Sequence, residues 1–241
     1  MKSLRKWGLL LLTGVVVLAS VLLPRQISAF RDRQVLDTVH TQPMSEEDLT
    51  LQEASLPEKL GLLGRAIRYP DLQVYSATQP LEESGEAEAE TLFLRGVEQL
   101  AVWGILPEDY DRSTLAFQGG SRVVYVRADG SLSASMLYLQ GITDSGDDFW
   151  MVLDAELGVP VWIDCTLRSV RESLPSAEEV GQGFFRSLGL ETRQYGPTVW
   201  EVEGSGGLVY SAAVSTRSGR VSVEPLGFVW DLFGENTAVV D

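Results

Sequence analysis

The strongest structural signal in the chain is the segment RVVYVRADGSLSASMLYL, residues 122–139. Apolar and polar residues alternate on both sides of the pair Asp129-Gly130, and such a pair between two alternating runs is typical of a β-hairpin. A second hairpin is predicted directly after it, with strands at residues 149–154 and 159–164 and a turn at residues 155–158. The middle of the chain is therefore predicted to be an antiparallel meander.

Helical patterns precede two groups of predicted strands. Residues 83–99 repeat apolar residues at helical spacing and begin with acidic residues, which favours the helix dipole. Residues 176–188 begin with capping-box spacing, continue with an apolar stripe and are followed by strands at residues 199–224. Gly181 and Gly183 lie inside this second helix, where each costs about 1 kcal/mol relative to alanine. We therefore expect the helix to approach a sheet closely at the two glycines.

The first residues of the chain carry a membrane-targeting pattern. A basic start, with Lys2, Arg5 and Lys6, leads into an apolar stretch at residues 7–23. A cleaved signal peptide would end after Ala29, whereas an uncleaved anchor requires about 17–25 apolar residues. The stretch just spans a bilayer of about 30 Å when helical, which favours the anchor. The basic residues ahead of it predict that the remainder of the chain lies outside the cytoplasm.

Net charge limits the possible partners. The chain has 241 residues and a formal net charge of −15. Nucleic-acid binding needs a basic face that neutralises phosphates, so no nucleic-acid partner is expected. The simplest role of the excess acidic residues is solubility.

The scarcity of cysteine and histidine limits the chemistry. Cys165 is the one cysteine, so no internal disulfide can form, and it is expected to pack as a small apolar residue. The one histidine, His40, lies in a predicted linker just after the apolar stretch. Catalysis of the Ser-His-Asp or Cys-His type needs a histidine inside the folded site, and zinc sites need two or more His or Cys ligands. We therefore expect a protein without cofactors that is not an enzyme.

The order of elements predicts the fold class and the domains. An α+β fold is expected, with an N-terminal transmembrane helix and then two helix-plus-antiparallel-meander units, of cystatin or PepSY type, that could share one fused sheet. The membrane anchor or signal peptide occupies residues 1–29, and a juxtamembrane linker occupies residues 30–54. The first α+β unit is expected at residues 55–170 and the second at residues 171–241.

A family resemblance accompanies this pattern. Residues 152–159, VLDAELGV, are similar to the hairpin that ends a PepSY domain, and residues 200–203 and 215–221 resemble the same region. The likeness covers roughly the C-terminal half, and the additional hairpin at residues 122–139 departs from the family pattern. The resemblance implies an extracytoplasmic, non-catalytic module of the kind often tied to protease inhibition or envelope regulation. It supplies no catalytic residues.

Acidic residues provide the metal and hydrolase candidates. Asp144, Asp147 and Asp148 form the densest carboxylate cluster in a predicted loop. Calcium takes several oxygen ligands, although the spacing does not fit an EF-hand loop, and a solvated turn is the alternative. Paired carboxylates could also serve acid–base hydrolysis, and Asp154 and Asp164 flank the same hairpins.

Aromatic residues provide the candidates for partner binding. Phe228, Trp230 and Phe233 follow the last predicted strand, and exposed apolar patches often dock a partner. The alternative is a tail folded over the core. Four other tryptophans sit at positions that suit core packing: Trp103, Trp150, Trp162 and Trp200.

These observations predict a single-pass protein of the bacterial cell membrane with an extracytoplasmic C-terminal domain. It would contact the membrane through residues 7–23, or be secreted if cleaved after Ala29. Its expected function is non-catalytic, as a binding or regulatory module of the envelope whose partner is another envelope protein. Two alternatives stay open at this point: a carboxylate-dependent envelope hydrolase and a structural spacer.

Overall fold

The computed structural model describes residues 54–69, 74–81, 83–107, 110–170 and 173–229. The helices within these ranges are α1 (Leu56–Arg68), α2 (Glu83–Val102) and α3 (Ala177–Ser187). The strands are β1 (Val74–Pro80), β2 (Ala116–Arg127), β3 (Ser133–Ile142), β4 (Asp148–Asp154), β5 (Val159–Thr166), β6 (Thr192–Gly196), β7 (Val199–Val202), β8 (Leu208–Ser215) and β9 (Arg220–Phe228).

These strands form one antiparallel sheet in the order β1-β2-β3-β4-β5-β9-β8-β7-β6. Strands β1 to β5 are neighbours in chain order, and so are strands β6 to β9. The two series join through their last strands, because Ile163 of β5 pairs with Val223 of β9 and Cys165 pairs with Val221. The hydrogen-bonded ladder is therefore continuous from one series to the other.

The predicted fold class is wrong. In place of an α+β chain with a transmembrane helix and two helix-plus-meander units, the described part of the chain is one large sheet of nine strands with three helices. Alternation of apolar residues identifies a strand and its buried face, but it does not say which strand becomes the neighbour. Within the described ranges, no helix combines the length and apolar character needed to cross a membrane. The apolar stretch at residues 7–23 lies outside those ranges.

Helices α2 and α3 cover one face of the sheet, which we call the two-helix face. Gly96 of α2 lies against Leu153 of β4. Phe184 and Phe185 of α3 pack against the ring of Tyr210 in β8. The core on this face includes these residues, each at most 2% exposed: Phe93, Leu139, Phe149, Met151, Ile163, Cys165, Trp200, Tyr210, Val221 and Val223.

Helix α1 lies at one end of the opposite face. Its Lys59 forms an ion pair with Asp154, which follows Leu153 in β4, and consecutive residues of a strand point to opposite faces. Gly61 lets the helix touch the turn between β7 and β8, because a Cβ atom there would lie 2.1 Å from the carbonyl oxygen of Ser205. The helix contacts β1, β2 and β3 as well as β8 and β9. It thus links the two series of strands at this end of the sheet.

Candidate binding surface on the sheet

The face opposite α2 and α3 presents exposed and half-buried side chains beyond α1, with the buried Ser222 between them. Cross-strand pairing aligns them, since Trp150 lies opposite Asp164 and Asp164 lies opposite Ser222. The same register places Tyr138 opposite Val152. We call this region the open face and define it by nine residues: Tyr138, Gln140, Asp148, Trp150, Trp162, Asp164, Arg220, Ser222 and Glu224.

Three aromatic rings form the centre of the open face. The rings of Trp150 and Trp162 meet edge to face with their centroids 4.6 Å apart, and Tyr138 packs against Trp150 at 5.8 Å. Each of the three side chains is half-buried. Desolvation and the hydroxyl of Tyr125 raise the pKa of Tyr138, so its phenol is neutral at physiological pH. The cluster is a rigid aromatic surface that still reaches solvent.

Charged groups border these rings. The guanidinium of Arg220 donates to both carboxylate oxygens of Asp164, at 2.8 and 2.9 Å. Glu224 lies 3.9 Å from the same guanidinium. Asp148, at the start of β4, lies 3.5 Å from the side-chain amide of Gln140. With three carboxylates and one guanidinium among its residues, the open face carries net negative charge.

Two buried polar atoms on this face have no hydrogen-bond partner among the residues that the structure describes. The indole nitrogen of Trp162 and the hydroxyl of Ser222 make no hydrogen bond within the described part of the chain. A buried polar group without a partner costs about 1–3 kcal/mol, and native proteins contain few such groups. The open face therefore contains unused hydrogen-bonding capacity next to its aromatic rings.

The carboxylates predicted as metal ligands occupy three different environments. Asp144 is exposed in the connection between β3 and β4, and Asp148 lies on the open face. Asp147 is fully buried, and its carboxylate accepts hydrogen bonds from the hydroxyl of Tyr110 at 2.9 Å and the backbone N–H of Ser169 at 3.0 Å. Among the described residues, no group of three or more His, Cys, Asp or Glu side chains is placed to hold a metal ion.

Hydrogen bonds to the carboxylate of Asp147 link the connection between β3 and β4 to the loop after β5. Burial acts to raise the pKa of its carboxyl, but hydrogen bonds from Ser169 and Tyr110 outweigh burial and hold the pKa below its usual value. Its backbone N–H donates to the hydroxyl of Thr143 at 3.0 Å. Because donors within the protein already occupy its oxygens, Asp147 acts as a structural carboxylate.

Lys59 is a buried amine whose role is also structural. Its ammonium group lies 3.2 Å from Asp154 and also contacts Glu156. Burial acts to lower the pKa of Lys59, but the two carboxylates outweigh it and raise the pKa above its usual value. A lysine that stays protonated is not a nucleophile. The two ion pairs of Lys59 instead link α1 to the turn between β4 and β5.

Of the three aromatic residues predicted to bind a partner, the structure describes Phe228 alone. Phe228 is fully buried and stacks on Tyr69 with a centroid distance of 6.0 Å. Trp230 and Phe233 lie outside the described residues. Sequence reasoning missed the open face because it assigned Trp150 and Trp162 to the core. The available signal was their position in the alternation, since each shares a strand face with an aspartate, Asp148 and Asp164 respectively.

No protein-family model, curated protein or solved structure matches the chain. The likeness of residues 152–159 to a PepSY hairpin therefore stays a prediction.

Proposed function

We propose that the protein is a membrane-anchored, extracytoplasmic binding module without catalytic activity, and that its open face docks a basic segment of another envelope protein. The observation that carries this proposal is the cluster of Tyr138, Trp150 and Trp162. These rings are half-buried, with part of each reaching solvent, on a sheet face whose other side is buried under helices. Tyrosine and tryptophan that combine rigid area with partial exposure are among the residues most enriched in energetically dominant interface contacts.

The charges favour a cationic partner. Lysine and arginine side chains bind over the faces of tryptophan and tyrosine, with about 0.5–2 kcal/mol per contact. Asp148 and Glu224 beside the rings would add direct attraction. At longer range, the net charge of −15 raises the local concentration of basic partners and repels acidic ones.

The unpaired polar atoms favour a polypeptide as the occupant. The indole N–H of Trp162 is a donor only, and the hydroxyl of Ser222 can also donate. An extended peptide supplies carbonyl oxygens along its length, which are the acceptors that both groups lack.

Membrane tethering is the second part of the proposal. The apolar stretch at residues 7–23 and the basic residues ahead of it support an anchor with the folded part outside the cytoplasm. In spheroplasts, externally added protease should digest the folded part while leaving cytoplasmic markers intact. Recovery of the chain in the soluble cytoplasmic fraction would contradict the tether.

Site-specific cross-linking in the source cells tests the docking surface. A photo-reactive residue, p-benzoylphenylalanine, replaces Gln140 on the open face in one variant and Gln182 on α3 in the matched control. Both glutamines are exposed. We expect an adduct with one protein at position 140 and none at position 182, with the cross-link falling in a basic segment of the captured protein.

Charge-matched variants make this test specific. Asp148→Asn should reduce the yield of the adduct several-fold, because it removes a carboxylate from the open face. Asp144→Asn, the same change at an exposed position in the adjoining connection, should leave the yield unchanged. Equal adducts at positions 140 and 182, an adduct with a polysaccharide, or no adduct at position 140 would contradict the proposal.

A further inference from the structure

A second site lies where α1 meets the turn between β7 and β8, at the end of the sheet. A cavity of about 190 Å³ is lined there by Arg65 of α1, Arg127 of β2 and Gly206 of the turn, among other residues. One water molecule needs only about 10–15 Å³ on the same measure, so a small polyatomic ion fits. The cavity opens to solvent beside Glu58 and Gly204, which are exposed.

Positive charge converges on this cavity in a protein whose net charge is −15. Arg65 forms no ion pair with any carboxylate of the described residues. Arg127 donates to the hydroxyl of Ser131 at 3.2 Å through one of its nitrogens, and the other donors of its guanidinium make no hydrogen bond with the described residues. Glu58 is the one carboxylate among the described lining residues, and it caps α1 by accepting from the backbone N–H and hydroxyl of Ser55.

The turn between β7 and β8 has a glycine where its backbone meets the guanidinium of Arg65. Gly206 has a φ of +76°, a backbone conformation that residues with a side chain rarely adopt. A Cβ atom there would lie 3.2 Å from a terminal nitrogen of Arg65. The hydroxyl of Ser205 donates to the carbonyl of Val202 at 2.6 Å and accepts from the backbone N–H of Leu208 at 3.0 Å. These bonds fix the turn, so the glycine backbone stays against the guanidinium.

We infer that this cavity binds a phosphate group between Arg65 and Arg127. Each guanidinium presents a fork of donors that matches two phosphate oxygens, and a tetrahedral phosphate has enough oxygens to engage both forks. A carboxylate has only two oxygens and would satisfy one fork. The phosphate could be the free ion or part of a phosphoester such as a lipid headgroup. This site does not involve the open face, and its test is independent of the proposed function.

Calorimetric titration of the full-length chain with inorganic phosphate tests the inference, with chloride at equal ionic strength as the blank. Arg65→Gln and Arg127→Gln should each weaken phosphate binding at least tenfold. Arg217→Gln is the matched control, because Arg217 is exposed in the turn between β8 and β9 and lies outside the residues lining the cavity. It should change the affinity less than twofold.

A variant that strengthens binding covers the case in which an arginine variant fails to fold. Glu58→Gln keeps an acceptor for the cap of α1 and removes the negative charge from the cavity wall, so it should tighten phosphate binding several-fold. Tighter binding of glycerol phosphate than of inorganic phosphate would assign the site to a phosphoester, and the reverse would assign it to the free ion. Acetate binding as tight as phosphate, equal effects of Arg65→Gln and Arg217→Gln, or no heat with either phosphate would overturn the inference.

Discussion

At the scale of single residues, Asp147 is the clearest case of a side chain whose environment differs from the one its sequence position suggests. It lies in an acidic loop segment that predicts solvent exposure or a metal ion, yet its carboxylate is fully buried among hydroxyl groups. Tyr110 and Ser169, which donate to it, are 37 and 22 residues away in the chain. Contacts at such separations follow from the folded sheet, so local spacing could not predict them.

Replacing this carboxylate should destabilise the protein. Asp147→Asn leaves donors from Tyr110 and Ser169 without a charged acceptor, so we expect a loss of about 2–3 kcal/mol in the free energy of unfolding at pH 7. Urea denaturation measures it. Asp144→Asn, at an exposed position, should stay within about 0.5 kcal/mol of the wild type. A similar loss in both variants would contradict the structural role of Asp147.

The pH dependence of this difference has a definite sign. The folded-state pKa of Asp147 is lowered, so its contribution is fully present above the unfolded-state pKa of about 3.9 and is lost as pH falls through the lower folded value. The difference in unfolding free energy between the wild type and Asp147→Asn should therefore shrink below about pH 4. A difference that grows with acidification would contradict the lowered pKa.

At the scale of elements, local signals predict turns and helix starts well. The hairpin at Asp129-Gly130 is confirmed, with φ of +72° at Gly130, and so is the capping box at Ser176. Strand β6 was missed because its sequence, TRQYG, lacks an apolar alternation and lies exposed at the sheet edge. Strand β2 begins at Ala116 and runs through Gly119 with a bulge, whereas two consecutive glycines suggest a loop.

The two glycines inside α3, Gly181 and Gly183, lead to a prediction about how this helix packs. The sequence predicts that Gly181 marks a close approach to a sheet, and a Cβ atom there would lie 2.2 Å from the ring of Trp200 in β7. Gly183 instead faces the backbone carbonyl of Trp103, just after α2. Gly181→Ala should therefore lower the free energy of unfolding by about 1–2 kcal/mol, because overpacking outweighs the gain of about 1 kcal/mol in helix propensity.

A matched glycine in another helix provides the control for this prediction. A Cβ atom on Gly85 of α2 would meet no neighbouring atom within 4 Å, so Gly85→Ala should stabilise the protein by about 0.5–1 kcal/mol. Both free energies are measured by denaturant unfolding. Stabilisation by Gly181→Ala of the same size as that by Gly85→Ala would mean that α3 does not lie against Trp200.

At the scale of the whole molecule, the junction of β5 with β9 determines how the chain unfolds. The core is continuous across this junction, and α1 also contacts strands on both sides. We therefore expect one cooperative transition, with the same midpoint by tryptophan fluorescence and by far-ultraviolet circular dichroism. Two separated transitions would indicate independent units and would contradict the single sheet.

The open face also forms only in the whole molecule, and for this reason the sequence did not reveal it. Tyr138, Trp150 and Trp162 lie on three successive strands, and pairing of β3, β4 and β5 brings their rings together. Strand alternation predicts which residues share a face, but the packing of α2 and α3 determines which face is covered. Cys165, on the covered face, is buried as its apolar surroundings predict.

Fluorine NMR of the full-length chain labelled with 5-fluorotryptophan tests directly whether the open face is available in the intact protein. Resonances are assigned by single Trp→Phe variants, and a soluble gadolinium chelate reports the exposure of each ring. We expect strong relaxation at Trp150 and Trp162 and weak relaxation at Trp200, which is 2% exposed on the two-helix face. Protection of Trp150 and Trp162 equal to that of Trp200 would contradict an available binding surface.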